Sequence, residues 1–558
     1  MILRRELWLA VMVVCLSTVA GLHAQSSRSE TYDLLIRGGR IVDGTGNPWF
    51  RGDVAITAGR IAAVGRLAGA QASQVAAQVI DARGLIVAPG FIDLHTHSDL
   101  PLLADGDAQS KVRQGVTLDV LGESTTVAPR DGLPPTEDRS GVRVDWTTFT
   151  DYFERLRRKT ISMNVISYVS LQQIRRVVLG YDLRAASPAE LERMKQLAAR
   201  SMEEGAWGLV TRFESGGPAH PEEAIALAKV AASYGGIYAS HIGSEGFEQE
   251  KEIAFAVRVA AEVQIPVHLF HLKVRARENW GRMNSFIAQI EAARARGLEI
   301  TANQYPYTAM FHNWSSFFPL WMRQGGPDKF AERLQDPSLR EKIKNDPEFI
   351  AWAKEHGWWE GITMALASTR ENAKYEGMSL AEIARLRGDA DPADTSITLM
   401  AEEGGRIRGV FHAMSEEDVR LVMKQPWVAH ASDGSAINLE APGVPHPRNY
   451  NTNSRVLGHY VRDEKVLAIE EAVRKMTSLP AQILGLRDRG LLREGFAADV
   501  VVFDPVKVRG TNSFDNPKSY PEGISYVLVN GVLVIDQGRH TGARPGKVIY
   551  GRGHKPRL

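Results

Sequence analysis

Two histidines, His95 and His97, end the apolar run "VAPGFIDLHTHSDL". On a strand, residues two apart face the same side, so both imidazoles point one way. Other strand-like runs end in comparable residues. "VTLDVLGE" ends in Glu123, "GGIYASHI" carries His241, "IPVHLFHLK" ends in His271 and Lys273, "LEITANQYPY" carries Tyr305, and "PWVAHASDG" carries Asp433. One buried histidine is usually a hydrogen-bonded core residue, whereas four histidines and two carboxylates at matching strand ends suggest a metal centre. Imidazole and carboxylate suit zinc, and a catalytic zinc keeps a position open for water. Four imidazoles exceed the needs of one open zinc site, so one or two Zn2+ ions are expected, with Glu123 able to bridge a pair. Such a centre makes water acidic near neutral pH. Asp433 is the natural carboxylate to take a proton and return it to a leaving nitrogen. His268 points to the opposite strand face and reads as packing. His220 and His430 have weak claims, and His412 and His446 read as loop residues.

The elements that must position these groups alternate strand and helix. The eight runs "GFIDLHTH", "VTLDVLGE", "MNVISYVS", "WGLVTRF", "GGIYASHI", "IPVHLFHLK", "LEITANQYPY" and "PWVAHASDG" have helical intervals between them, such as "HPEEAIALAKVAASYG". This is the pattern of an α/β chain folded as a (β/α)8 TIM barrel, whose active site lies at the C-terminal strand ends. Residues 88–479 form this expected barrel. Glycine-punctuated β runs at 30–87 and 480–550 are expected to join in a small composite β-sandwich domain made from both chain ends. An aromatic-rich insertion at 310–365 reads as a lid or as a small helical satellite core.

The chain has 558 residues, is 24% charged and carries a formal charge of +1. That balance gives no electrostatic case for nucleic acid or an anionic membrane. Arg4 and Arg5 precede an apolar run, and Ala24 stands at a small-residue cleavage point. Residues 1–24 therefore read as a signal peptide, with export to a bacterial periplasm and no membrane attachment after cleavage. The only cysteine, Cys15, falls within that segment. A mature chain starting at residue 25 would have neither disulfides nor a cysteine nucleophile.

With "GGIYASHIGSEG", "HLK", "QYPYTA", "MSEEDVR", "PWVAHASDG" and "HPRNYNTNSRVLGHYVR" added to the HxH pair, the sequence resembles the amidohydrolase superfamily, and within it the D-aminoacylase (N-acyl-D-amino-acid deacylase) family. The resemblance covers about residues 32–540. It implies a metal-bearing barrel beside a composite sheet domain. It also implies that His95 and His97 bind one metal and His241 and His271 the other, with Asp433 as acid/base. The substrate carboxylate would fall to Lys273, Tyr305 and Arg448, and the substrate is a small N-acyl amino acid. Where D-aminoacylases commonly carry a cysteine in "GNCG", this chain has "GEST", with Ser124 at the cysteine position, so Glu123 is the expected bridge. No lysine lies on the third or fourth strand run to serve as a carbamylated bridge. Bulky Met310, Phe311 and Trp314 follow "QYPYTA", so substrate preference is not carried over. A dipeptidase or cyclic-amide (dihydroorotase-like) hydrolase is the rival enzyme reading, and a non-catalytic scaffold the third.

Overall fold

The computed structural model describes residues 32–67, 76–123, 127–212, 220–242 and 245–556. The expected signal segment lies outside them, and among the described residues no helix is long and apolar enough to cross a membrane.

Eight short strands build the barrel: β1 (Phe91–Asp93), β2 (Val116–Leu121), β3 (Asn164–Ser167, resuming at Val169–Ser170), β4 (Gly208–Arg212), β5 (Ile237–His241), β6 (Val267–Leu269), β7 (Ile300–Gln304) and β8 (Val428–His430). Every neighbouring pair is parallel. The first piece of β3 pairs with β2 and the second with β4. A parallel bridge between Thr96 and Gly434 closes β8 onto β1, and the Asp433 amide donates to the His95 carbonyl at 2.9 Å across that seam. Strands β2, β3 and β5 are buried at every residue. Burial on both faces explains why these runs read as continuously apolar rather than alternating.

The outer helices follow from helical periodicity. Pro221–Ser233 buries Ala224, Ile225, Leu227, Ala228 and Ala231 toward the strands. Its first turn holds Pro221, Glu222 and Glu223, which suit a helix start because proline lacks the unsatisfied amide and acid complements the dipole. Gln249–Val263 buries Ile253, Ala256, Val259 and Ala260 at the same spacing.

Strands from both chain ends share one nine-stranded sheet. Ile86–Pro89 is the junction: it pairs with Tyr32–Ile41 on one side and with Val500–Phe503 on the other. Side-chain alternation gives the sheet two buried faces. Val500, Val502 and Leu528 pack with Leu34, Ile36, Val54 and Ile56. Val501, Phe503, Val527 and Val529 instead join the main barrel core.

Between β7 and β8 the chain inserts a three-stranded antiparallel sheet, with Arg408–His412 between Ala309–Asn313 and Ile362–Leu366. Met310, Ile362, Met364 and Phe411 on one face pack into an aromatic core with Trp314, Phe317 and Phe330. The other face carries Ala309, Ala365 and Val410 against Phe311 and Phe514. The insertion thus runs past the expected 310–365 boundary. Its central strand is "RGVFH", and nothing local in that stretch reveals that its partners lie far upstream.

Candidate active site

Six of the expected residues converge at the C-terminal mouth of the barrel. His95 and His97 follow β1, Glu123 follows β2, His241 ends β5, His271 follows β6 and Asp433 follows β8. The His95 ring centroid lies 5.6 Å from His97, 5.0 Å from His241 and 5.1 Å from His271. His97 Nδ1 is 2.7 Å from Glu123 Oε2, and His241 Nε2 is 2.5 Å from Glu123 Oε1. One carboxylate therefore spans two imidazoles. On the other side, Asp433 Oδ1 lies 2.9 Å from His97 Nε2 and 3.5 Å from His95 Nε2, and Asp433 Oδ2 is 3.9 Å from His271 Nε2.

Local backbone aims these groups. Gly122 has φ +89°, and a Cβ there would meet the Tyr168 carbonyl at 2.2 Å, so only glycine makes the turn that presents Glu123. His271 and Asp433 are non-glycine residues at φ 33° and 50°. Such strain persists only where surroundings enforce it. Here the His271 amide donates to Asn303 Oδ1 at 2.7 Å, and the Asp433 amide donates to the His95 carbonyl just past β1.

The donor set fits a divalent cation. His95 is fully buried, stacked at 4.0 Å on Phe270, and neither ring nitrogen makes a hydrogen bond. Burial holds its pKa well below the ordinary value, so it is a neutral imidazole, the form that ligates metal. The Glu123 oxygens, though close to histidine nitrogens, lack hydrogen bonds of normal geometry. Burial opposes its charge, yet His97, His241 and Arg212 hold its pKa well below the carboxylate range. Buried orphan atoms of this kind are costly unless something satisfies them. The ligand atoms form two sets, His95–His241–His271 and His95–His97–Asp433, each with its atoms within 4.8 Å of one another. His95 belongs to both, unlike the two separate pairs implied by the resemblance.

Lys273, Tyr305 and Arg448 gather beside the cluster. The Tyr305 ring lies between two cations, 5.6 Å from Lys273 Nζ and 5.0 Å from the Arg448 guanidinium. Both cations already face protein groups. Arg448 donates to Asp433 Oδ2 at 2.7 Å, and Lys273 bonds Glu245 and lies 2.7 Å from His271 Nδ1. Against the burial that would raise it, Arg448 leads the groups that hold the Asp433 pKa well below normal.

The secondary histidines are placed elsewhere. His268 is locked between Thr301 and Asn303, and burial pushes its pKa down to about 3. His220 bonds the Leu183 carbonyl, and His430 is buried on β8 near Lys475. His446 is on a loop but fully buried, its Nε2 bonded to the Ala309 carbonyl and its ring 6.2 Å from Tyr305. Ser124 lies outside the described residues.

Sequence reasoning missed several neighbours. Arg212, the last residue of β4, brings Nη1 to 3.4 Å from Glu123, and Glu245 bridges His271 and Lys273. Beneath the cluster, Lys111 is wholly buried, 2.9 Å from Asp93 Oδ2 and 2.6 Å from Ser432 Oγ. Asp93 Oδ1 accepts the Ser432 amide at 2.9 Å, and Ser432 Oγ accepts the Gly434 amide at 3.0 Å. This network ties β1 to the loop bearing Asp433. The signal was present as Asp93 and Asp119 inside apolar runs, where a charge needs a partner.

Comparison with known proteins agrees with this architecture. A model described as the amidohydrolase family matches residues 78–323 and 349–535. A D-aminoacylase of Alcaligenes xylosoxydans xylosoxydans is 32% identical over 94% of this chain and 98% of its own. An N-acyl-D-glutamate deacylase of the same organism is 33% identical over 93% and 97%. The crystal structure of N-acyl-D-glutamate deacylase from Bordetella bronchiseptica, complexed with zinc and a phosphonate mimic of the tetrahedral intermediate, superposes with a TM-score of 0.77. It has 30% identity and covers 93% of this chain and 100% of that one. The chain therefore belongs to the amidohydrolase family, in its D-aminoacylase branch.

Proposed function

We propose that this chain is an exported, zinc-dependent N-acyl-D-amino-acid deacylase that hydrolyses the amide to a carboxylate and a free D-amino acid. The observation that carries the reading is the Glu123 carboxylate between His97 and His241, with Asp433 facing the same histidines. The relative solved with zinc supports the choice of metal. His95, His97, Glu123, His241 and His271 would hold one or two zinc ions, with Asp433 within reach. A bound zinc supplies Lewis acidity, polarising an amide carbonyl and making water acidic near neutral pH.

The remaining chemistry belongs to side chains. Asp433 is ionised, so it can accept a proton from the attacking water. As the C–N bond breaks, it returns that proton to the leaving nitrogen. Arg448, Lys273 and Tyr305 bind the substrate α-carboxylate. Arg448 already holds Asp433, so a substrate carboxylate competes for the same guanidinium and loosens its grip on the base. In this reading the barrel at 88–479 carries the chemistry, while the composite domain at 30–87 and 480–550 supports it. Residues 1–24 are removed on export; N-terminal sequencing of periplasmic protein starting at Gln25 would agree.

The decisive assay measures metal content and hydrolysis of N-acyl-D- and N-acyl-L-amino acids, dipeptides and cyclic amides on one preparation. Turnover confined to dipeptides or cyclic amides would overturn the deacylase reading.

A further inference from the structure

Arg408 opens the central strand of the inserted sheet, on the face that carries Val410 and His412. That face looks away from the insertion's aromatic core. It leads toward the metal cluster through a series of rings: His412 lies 4.7 Å from Phe514, Phe514 lies 5.1 Å from His446, His446 lies 6.2 Å from Tyr305, and Tyr305 lies 6.1 Å from His271. The Arg408 guanidinium lies 5.8 Å over the Phe311 ring. Among the described residues its side chain has no carboxylate partner and makes no hydrogen bond, although the residue is exposed to solvent.

Among the described residues, the charges that act on it are like charges. Arg139 is anchored by neutral acceptors, Ser368 Oγ at 2.6 Å and the Arg406 carbonyl at 2.8 Å. Arg212 stands at the cluster itself, beside Glu123. Although the residue reaches solvent, the protein around its guanidinium partly strips away water; that desolvation, then Arg139, then Arg212 lower the Arg408 pKa. The aromatic ring favours the guanidinium, whereas the neighbouring like charges repel it, and an anionic ligand would offset that repulsion. An arginine fork also matches a carboxylate geometrically.

We propose that Arg408, seated on Phe311, recognises a second negative charge on the substrate, beyond the α-carboxylate. The inference rests on the deacylase reading and narrows its substrate class. The charge is a carboxylate, supplied by an acidic D-amino-acid side chain or by the far end of a dicarboxylic acyl group.

Two pairs of near-isosteric probes distinguish those sources. N-acetyl-D-glutamate against N-acetyl-D-glutamine tests the side chain, and N-succinyl-D-leucine against N-butyryl-D-leucine tests the acyl end. In wild type, kcat/KM should favour the charged member of one pair by about tenfold or more, as for a charge-assisted hydrogen bond. R408Q should erase that preference and R408K restore part of it, with circular dichroism confirming the fold. The wild-type comparison needs no variant, so a misfolded R408Q leaves the test intact. No charge preference in either pair, or one that survives R408Q in folded protein, overturns the inference while leaving the deacylase standing. No turnover of any of the four probes overturns both.

Discussion

The floor of the site and its wall are built on opposite principles. On the floor the carboxylates are buried and each meets an opposite charge or an imidazole: Glu123 faces His97 and His241, Asp433 faces Arg448, and Asp93 faces Lys111. Glu123, His97, His241, Asp93 and Asp433 sit at or just past the ends of parallel strands whose register is fixed by ladder hydrogen bonds, while Lys111 and Arg448 reach them from helices. On the wall, Arg408, Phe311 and His412 stand on an inserted antiparallel sheet and are partly or fully exposed, and among the described residues Arg408 has like-charged neighbours, Arg139 and Arg212. The contrast separates two tasks. Chemistry needs groups held to within a fraction of an ångström, which a closed barrel provides. Selection among substrates needs a surface that can vary without disturbing that geometry, and an insertion with its own core provides one.

Changes to the floor should therefore cost far more than changes to the wall. The largest effect is expected for Glu123→Gln, because a neutral amide cannot balance the charge of bound cations. Metal analysis should show lost metal, with activity lost alongside; full occupancy and normal turnover would remove Glu123 as a bridge. Asp433→Asn should instead keep its metal and inhibitor affinity while turnover falls by about 10²–10⁴-fold, the usual range for one acid–base group. A metal-loaded, folded variant within about tenfold of wild type, below that range, would take Asp433 out of the mechanism.

Lys111→Met tests whether the floor is held by charge from below. Removing one partner of a buried ion pair typically costs about 3–5 kcal/mol, because the other charge is left uncompensated. Burial already pushes Asp119, 3.8 Å from Lys111, up to about 7 despite the pull of that lysine. A denaturant midpoint equal to wild type would show that the β1–β8 seam does not depend on this cation. Arg448→Ala should weaken carboxylate binding by about 2–5 kcal/mol. Comparing an N-acyl-amino acid with its amide isolates that contribution, and undiminished discrimination in the variant would refute it. The smallest effect belongs to the wall. Phe311→Ala removes a half-exposed ring and should change the kcat/KM ratio between charged and neutral substrates by only about 1 kcal/mol, the scale of one cation–π contact. A collapse of turnover on all substrates would erase the distinction between floor and wall.

Much of the floor was legible before any fold was known. Strand ends recur at barrel spacing, and a histidine or carboxylate at the end of an apolar run marks the face that carries chemistry, so His95, His97, Glu123, His241, His271 and Asp433 could be named together. The barrel was legible for the same reason: doubly buried parallel strands leave apolar runs between amphipathic helices. What the sequence could not show was pairing between distant segments. Asp93 and Lys111 read as isolated charges until the fold brought them to 2.9 Å. Arg448 and Lys273 read as ligands for a substrate alone, yet the tertiary structure sets them against Asp433 and Glu245. Arg408 sits in a strand whose partners, Ala309–Asn313 and Ile362–Leu366, lie far upstream, so no local pattern assigned it to the wall. Periodicity reports which way a residue faces within its own element. Which charges meet depends on how distant elements close on one another, and that is decided only when the chain folds.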